Sequence, residues 1–147
     1  MSDAIDTSVL VAAIVGTEAF HDECLDLILR HGTRAPLHLY LHGITETFST
    51  LTGGRRSIQM SANMATDIIE NDFSPKLTVT TLTPSEMLRA MRDAQARGVR
   101  GGGVFDYLHL VAARKAKARR IHTLNISNFR AFHRAGDPEI MHPGKPR

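Results

Sequence analysis

The chain has 147 residues, 42% of them apolar and 22% charged, with a net charge of +3. That length suits one domain with a sizeable core and is too short for two, and the composition excludes a disordered chain. No apolar run approaches the ~20 residues that span a bilayer, and the start lacks the basic, apolar, small-residue order of a signal peptide. Cys24 is the single cysteine, which excludes an internal disulfide and a cysteine-based zinc site. We therefore expect one cytoplasmic domain over residues 1–147, with a loosely ordered tail from about residue 142.

In chain order, Ala4 to Ile14 reads as a buried strand around Asp6-Thr7-Ser8 that runs into a helix. Glu18 to Leu29 reads as a helix with Phe20, Cys24, Leu27 and Ile28 on its apolar side, ending near Gly32. Pro36 is expected to open a second helix, in which Leu41, Ile44, Phe48 and Leu51 recur at helical spacing until Gly53-Gly54 stops it. A third helix runs through Met60, Met64 and Ile68, with Ser57 as its cap. Leu77 to Leu82 is threonine-rich and β-branched, hence a strand.

Thr83-Pro84-Ser85-Glu86 carries the signature of a helix start, with a threonine cap, proline in the first turn and glutamate at the capping-box position. That helix runs to Gly98, and Gly101-Gly102-Gly103 separates it from another spanning about Val104 to Ala118. Ile121 to Leu124 is a short strand, Phe129 and Phe132 belong to a helical turn, and Glu139 to Met141 is a last edge strand. Strands alternating with helices predict a three-layer α/β/α sandwich around a central, mostly parallel sheet.

Ligands of parallel α/β sheets bind at the carboxyl ends of the strands, which directs attention to the polar residues there. Asp6 interrupts an apolar segment, where a lone carboxylate costs several kcal/mol unless paired, hydrogen-bonded or metal-bound; a helix N-cap is the structural alternative. Thr7 and Ser8 follow it with hydroxyls for the next helix end or a bound water. Asp3 precedes the apolar run and reads as a surface residue. Glu46 lies opposite the Leu41/Ile44/Phe48/Leu51 stripe, beside Gly43 and Thr50, which fits an exposed glutamate as well as a groove wall. Asp106 falls in the first turn of the helix after the triple glycine, where the helix dipole favours a carboxylate whatever its function. His109, one turn on, shares that face and is open to substrate contact or plain packing. Asn125 and Asn128, after a short strand, offer neutral oxygens or serve as turn residues.

Charge is unevenly spread. No acid occurs between Tyr107 and Gly136, while Arg114, Lys115, Lys117, Arg119, Arg120, Arg130 and Arg134 all fall there and Arg100 lies just upstream. Such clustering suits either a polyanionic partner or a solvated face. The aromatics are scattered, and no base-stacking platform is visible. Oxygen-only ligands match Mg²⁺ or Mn²⁺ rather than zinc, and clustered carboxylates repel one another without a cation.

The segment Ala4-Ile5-Asp6-Thr7-Ser8-Val9-Leu10 resembles the opening strand of PIN-domain nucleases. Ile44-Thr45-Glu46-Thr47-Phe48 is similar to their second acidic segment, Phe105-Asp106-Tyr107-Leu108-His109-Leu110-Val111-Ala112-Ala113 to the third, and His122-Thr123-Leu124-Asn125 through Phe129 to the closing motif. The resemblance spans about residues 3–130 and is greatest to the toxins of VapBC-type toxin–antitoxin pairs. It implies a Mg²⁺- or Mn²⁺-dependent endoribonuclease cleaving structured transfer or ribosomal RNA. Asp6 and Asp106 would be the principal metal ligands, Glu46 a ligand directly or through water, and Asn125 a catalytic-site residue. Thr7, Ser8, Thr123, Asn128 and His109 come second, and Arg100, Arg114, Arg119 and Arg120 are candidates for contacting RNA. The resemblance also implies a homodimer and a cognate antitoxin, and no membrane.

One departure stands out: Asn125 and Asn128 occupy the motif where many members carry a fourth acid. It supports an alternative reading, a catalytically weak PIN-fold module that binds RNA or protein. Haloacid-dehalogenase-like chemistry wants an aspartate where this chain has Ser8, and a nucleotide-binding fold wants a glycine-rich loop after the first strand, where there is none.

Overall fold

Three strands of three or four residues form the centre of the sheet: β1 (Asp3–Ile5), β2 (Leu37–Tyr40) and β4 (Arg120–His122). With β3 (Thr78–Thr80) and β5 (Glu139–Met141) they make a five-stranded sheet of order β3-β2-β1-β4-β5, every pairing parallel. The computed structural model describes residues 2–31, 34–54 and 57–144; the helix end expected near Gly32 and the last three residues of the expected tail, 145–147, lie outside them.

Alternation along the strands assigns the two faces. Ile5, Leu37 and Leu39 point into a core shared with Val9, Leu10, Cys24, Leu27 and Ile28 of α1 (Thr7–Ile14) and α2 (His21–His31). Ala4, Tyr40 and Ile121 point the other way, into a core with Leu108 and Ala112 of α6 (Gly103–Lys115) and Phe129 and Phe132 of α7 (Ile126–Phe132). A smaller cluster joins α1 to α3 (His42–Thr52) and α4 (Ala62–Asp67) through Val11, Leu51 and Ala65. The three-layer α/β/α arrangement expected from the sequence is the one found.

Three local expectations are corrected. Pro36 precedes β2 rather than a helix, and α3 starts only at His42; a four-residue buried parallel strand carries no periodicity that separates it from a helical turn. The cap of α4 is Ser61, whose hydroxyl accepts from the Met64 amide at 3.1 Å, and not Ser57. Asp3, expected at the surface, is fully buried. The capping box at α5 (Pro84–Asp93) is present: Thr83 and Glu86 each accept the other's backbone N–H.

The chain adds β2 and then β3 on one side of β1, and β4 and β5 on the other. The gap beyond the carboxyl ends of β1 and β4 is therefore the topological switch point, where open parallel sheets place their ligands.

Candidate active site

Asp6 follows β1 directly, at that gap, and caps α1 by accepting the Val9 amide at 3.3 Å. The cap and the site are thus one residue in two roles. Its carboxylate is fixed on both oxygens: Ser8 donates to Oδ1 at 2.6 Å and Thr123 to Oδ2 at 2.7 Å. Thr123 comes from the end of β4, and its Oγ1 also accepts the Asn125 amide at 2.9 Å, while Ser8 Oγ accepts the Leu124 amide at 3.0 Å. The two hydroxyls weld the loop after β4 to the start of α1.

Asp106 lies in the first turn of α6 and takes a hydrogen bond from Asn128 Nδ2 at 3.3 Å. Glu46 projects from the middle of α3. His109 Nε2 lies 2.8 Å from its Oε1, and Thr7 Oγ1 donates to the same oxygen at 3.2 Å. His109 is buried, stands edge-on to Tyr40 and has no partner at Nδ1 among the described residues. Nε2 carries a proton toward the Glu46 carboxylate, which can only accept. A Cβ on Gly43 would lie 2.5 Å from Leu39 Cδ1 and 3.3 Å from His109 Cε1, so glycine lets α3 close on the ring. His109 therefore positions Glu46 and is too enclosed to meet substrate, and Glu46 is no ordinary surface glutamate.

Asp6, Thr7, Ser8, Glu46, Asp106 and Asn125 line one open cavity of about 780 Å³, with Glu18, Phe20, Ser49 and Thr50 on its walls. No Lys or Arg is among the described residues that line it. Burial, with Asp106 adding repulsion, holds the Asp6 carboxyl above its usual range against the opposing pull of His109, Ser8 and Thr123. Burial likewise raises Asp106, helped by Glu46 and resisted by Asn128 and His109. At Glu46 burial is outweighed by the His109 and Thr7 contacts, and the carboxyl falls below its usual range. Two carboxyls are thus shifted upward by burial and mutual repulsion, a strain that a bound cation would relieve. The donors are all oxygen, which fits Mg²⁺ or Mn²⁺.

The arginines proposed for RNA divide differently. Arg100 is exposed in the turn leading to α6. Arg114 pairs with Asp137 at 3.4 Å, Arg120 with Glu139 at 3.7 Å and Arg119 with Asp3 at 3.1 Å. Arg119 and Arg120 sit at the amino end of β4, the opposite end from the cavity, and none of the four lines it.

A second cluster of titratable side chains, one acid with two histidines and an arginine, lies at that far end. Asp3 Oδ2 is 2.8 Å from His122 Nε2 and 3.5 Å from His31 Nε2, and Arg119 Nε donates to Oδ1. The three ligand-type atoms lie within 4.8 Å of one another. The geometry nevertheless describes an ion-pair network. Arg119 already answers the carboxylate charge, and His122 Nδ1 has no acceptor among the described residues, whereas a metal-bound imidazole donates its second N–H. Sequence reading missed this cluster, and it placed Glu18 and Phe20 in a helix, Phe20 on the apolar side; α2 starts only at His21, and both residues reach the cavity from the turn before it.

No protein-family model and no curated protein sequence matches the chain. Solved structures do, and they have the fold of PIN-domain toxins from toxin–antitoxin systems, the fold the sequence resemblance implied. VapC20 of Mycobacterium tuberculosis, described as a sarcin-ricin loop cleaving toxin, is similar at a TM-score of 0.65 and 18% identity, over 94% of this chain and 100% of that one. VapBC-1 of nontypeable Haemophilus influenzae is similar at 0.67 and 14%, over 99% and 100%, and FitAcB of Neisseria gonorrhoeae at 0.67 and 11%, over 97% and 98%. Among the described residues no helix is long and apolar enough to cross a membrane.

Proposed function

We propose that the chain is a Mg²⁺- or Mn²⁺-dependent endoribonuclease that hydrolyses structured RNA, transfer or ribosomal, and acts in the cytoplasm as the toxin of a toxin–antitoxin pair, inhibiting translation and growth. The observation that carries this reading is the convergence of Asp6, Glu46 and Asp106, from three separate elements, on one cavity with no lining cation among the described residues. Asp6 and Asp106 would hold the ion, with Glu46 reaching it directly or through water. Bound there, it supplies an activated water and neutralises charge building on the scissile phosphate.

The remaining work belongs to the chain. Ser8 and Thr123 keep both Asp6 oxygens in place, His109 and Thr7 engage Oε1 of Glu46 and leave Oε2 for the cavity, and Asn128 steadies Asp106. Asn125 lines the cavity as a neutral group able to orient water or phosphate. A cognate antitoxin over the cavity draws support from the similarity to VapBC-1 and FitAcB, and a homodimer that sets two cavities along one groove completes the proposal.

The test is cleavage of a panel of structured RNAs with Mg²⁺ or Mn²⁺. Wild type should cut only with the metal, and Asp6→Asn and Asp106→Asn should each lose on the order of a thousandfold, since each removes several kcal/mol of transition-state charge stabilisation. Activity that survives EDTA, or is unchanged in both variants, overturns the reading. RNA binding without cleavage by the wild type favours the module with the neutral Asn125.

A further inference from the structure

The cavity has a binding problem that its acids do not solve. Among the described residues its lining carries Asp6, Glu18, Glu46 and Asp106 and no Lys or Arg, so these acids repel a nucleotide's phosphates until a cation arrives, and a contact indifferent to charge would add affinity. Of the chain's six phenylalanines and two tyrosines, only Phe20 and Phe105 are exposed among the described residues. Phe105 directly precedes Asp106, and Phe20 lines the cavity itself. One exposed ring is unremarkable on a protein surface; what separates Phe20 is its backbone.

Phe20 has φ +64°. For a bulky residue that is an outlier costing roughly 1–3 kcal/mol, a cost glycine would not incur. Burial of the ring would offset the strain, yet the residue remains 43% exposed. Its carbonyl opens α2 by accepting the Cys24 amide at 2.9 Å, which holds the backbone in place. The ring is braced from the C-terminal side: His142 stands against it at 4.5 Å and 79°, and a Cβ on Gly144 would come within 2.8 Å of Cδ1. A strained backbone, a braced ring and an unburied surface at an acidic cavity together describe an aromatic held for something outside the protein.

We propose that Phe20 is a stacking platform for an unpaired base of the RNA, as in a loop of a structured RNA, at the wall of the active-site cavity. The inference rests on the ribonuclease reading and adds to it the means by which a nucleotide is held beside the acids. Stacking is indifferent to phosphate charge and tolerant of sequence, because every base has a π-face. Ala19, exposed beside it, lines the same cavity and extends the apolar surface.

The chain contains no tryptophan, so Phe20→Trp introduces a single fluorophore at the platform. In an Asp106→Asn background, which binds without cutting, we expect decauridylate to quench that emission and a decamer of the same sugar–phosphate backbone without bases to leave it unchanged. With the cleavable RNA, Phe20→Gly should raise KM about tenfold, the loss of one stacked base, with kcat within about twofold. Its melting temperature should hold or rise, because glycine relieves the strain. Equal quenching by the two decamers, or none by either, overturns the proposal, as does a Phe20→Gly melting temperature that falls while KM stays put, which assigns the ring to anchoring the C-terminal segment. If the wild type cuts no RNA, the ribonuclease reading fails by itself, and the fluorescence titration still decides whether bases stack on Phe20.

Discussion

Asp3 and Asp6 stand at the two ends of one three-residue stretch of sheet, both almost wholly buried, and their environments push them in opposite directions. At Asp3, burial is more than offset by His122, Arg119 and His31, and the carboxyl is held down at about 2. At Asp6, burial prevails, the nearest strong influence besides it being a histidine committed to Glu46, and the carboxyl is pushed up. One end of the strand neutralises its charge internally. The other meets its charge with hydroxyls, Ser8 and Thr123 being the side chains that hydrogen-bond its oxygens among the described residues. The contrast separates a carboxylate whose charge the fold answers with cationic partners from one whose charge it meets with hydroxyls, and burial alone would not have told them apart.

The largest effect expected from testing this contrast is at Asp3. Asp3→Ala leaves the buried His122 Nε2 unpaired and Arg119 to find solvent, and should cost about 3 kcal/mol, or roughly 10 °C in melting temperature for a domain of this size. Replacing both partners, as in Asp3→Leu with His122→Leu, should recover stability to within about 1 kcal/mol of wild type, since an apolar pair of similar volume substitutes for a buried ion pair. Neither change should alter metal-dependent cleavage in the protein that remains folded. A double variant as unstable as Asp3→Ala would mean that the network is needed for packing at the sheet end rather than merely satisfied there.

A smaller effect follows from pH. The folded Asp3 carboxyl titrates at about 2 against an ordinary 3.8. Its contribution is therefore complete above pH 4 and lost as the pH falls toward 2, about 2 kcal/mol in all. Urea midpoints of wild type and Asp3→Asn measured between pH 6 and pH 2.5 should converge at the acid end; parallel curves would show that Asp3 has no depressed titration to lose.

The same contrast explains what the amino-acid pattern revealed. Asp6 was legible because a carboxylate inside an apolar run demands a partner, and Asp106 because a helix start follows three glycines. Asp3 has as strong a claim to a partner, but its partners come from residues 31, 119 and 122, and nothing local records that. His109 was legible as a polar residue on the right face, while its engagement with Glu46 depends on Gly43 admitting the ring, a contact across 63 positions. The α5 capping box was readable because both halves lie within four residues. β2 was not, because Leu37–Tyr40 is too short to show a period and Pro36 opens helices as readily as it precedes strands. Local chemistry was legible, and pairing across the sheet was not.

The smallest effect is the sharpest on the active-site side. If Asp6 is maintained against stability, removing its charge should help the metal-free protein. Asp6→Asn keeps an oxygen for the Val9 amide and the Ser8 hydroxyl, so the cap of α1 survives, while Thr123 Oγ1 can accept from the new amide. The repulsion from Asp106 and the burden of a buried carboxylate both go. Without metal, the variant should melt a few degrees above wild type, about 1 kcal/mol on the scale of this domain. Mg²⁺ at ten times its Kd should then stabilise wild type by about 1.4 kcal/mol through mass action and leave the variant nearly unmoved. The order of stability would thus narrow or invert on adding metal, a crossing that a cap residue with no metal role has no means to produce. An Asp6→Asn protein that melts below wild type and gains as much from Mg²⁺ would put both aspartates in the service of the fold, and the difference between the two ends of the strand would be one of degree.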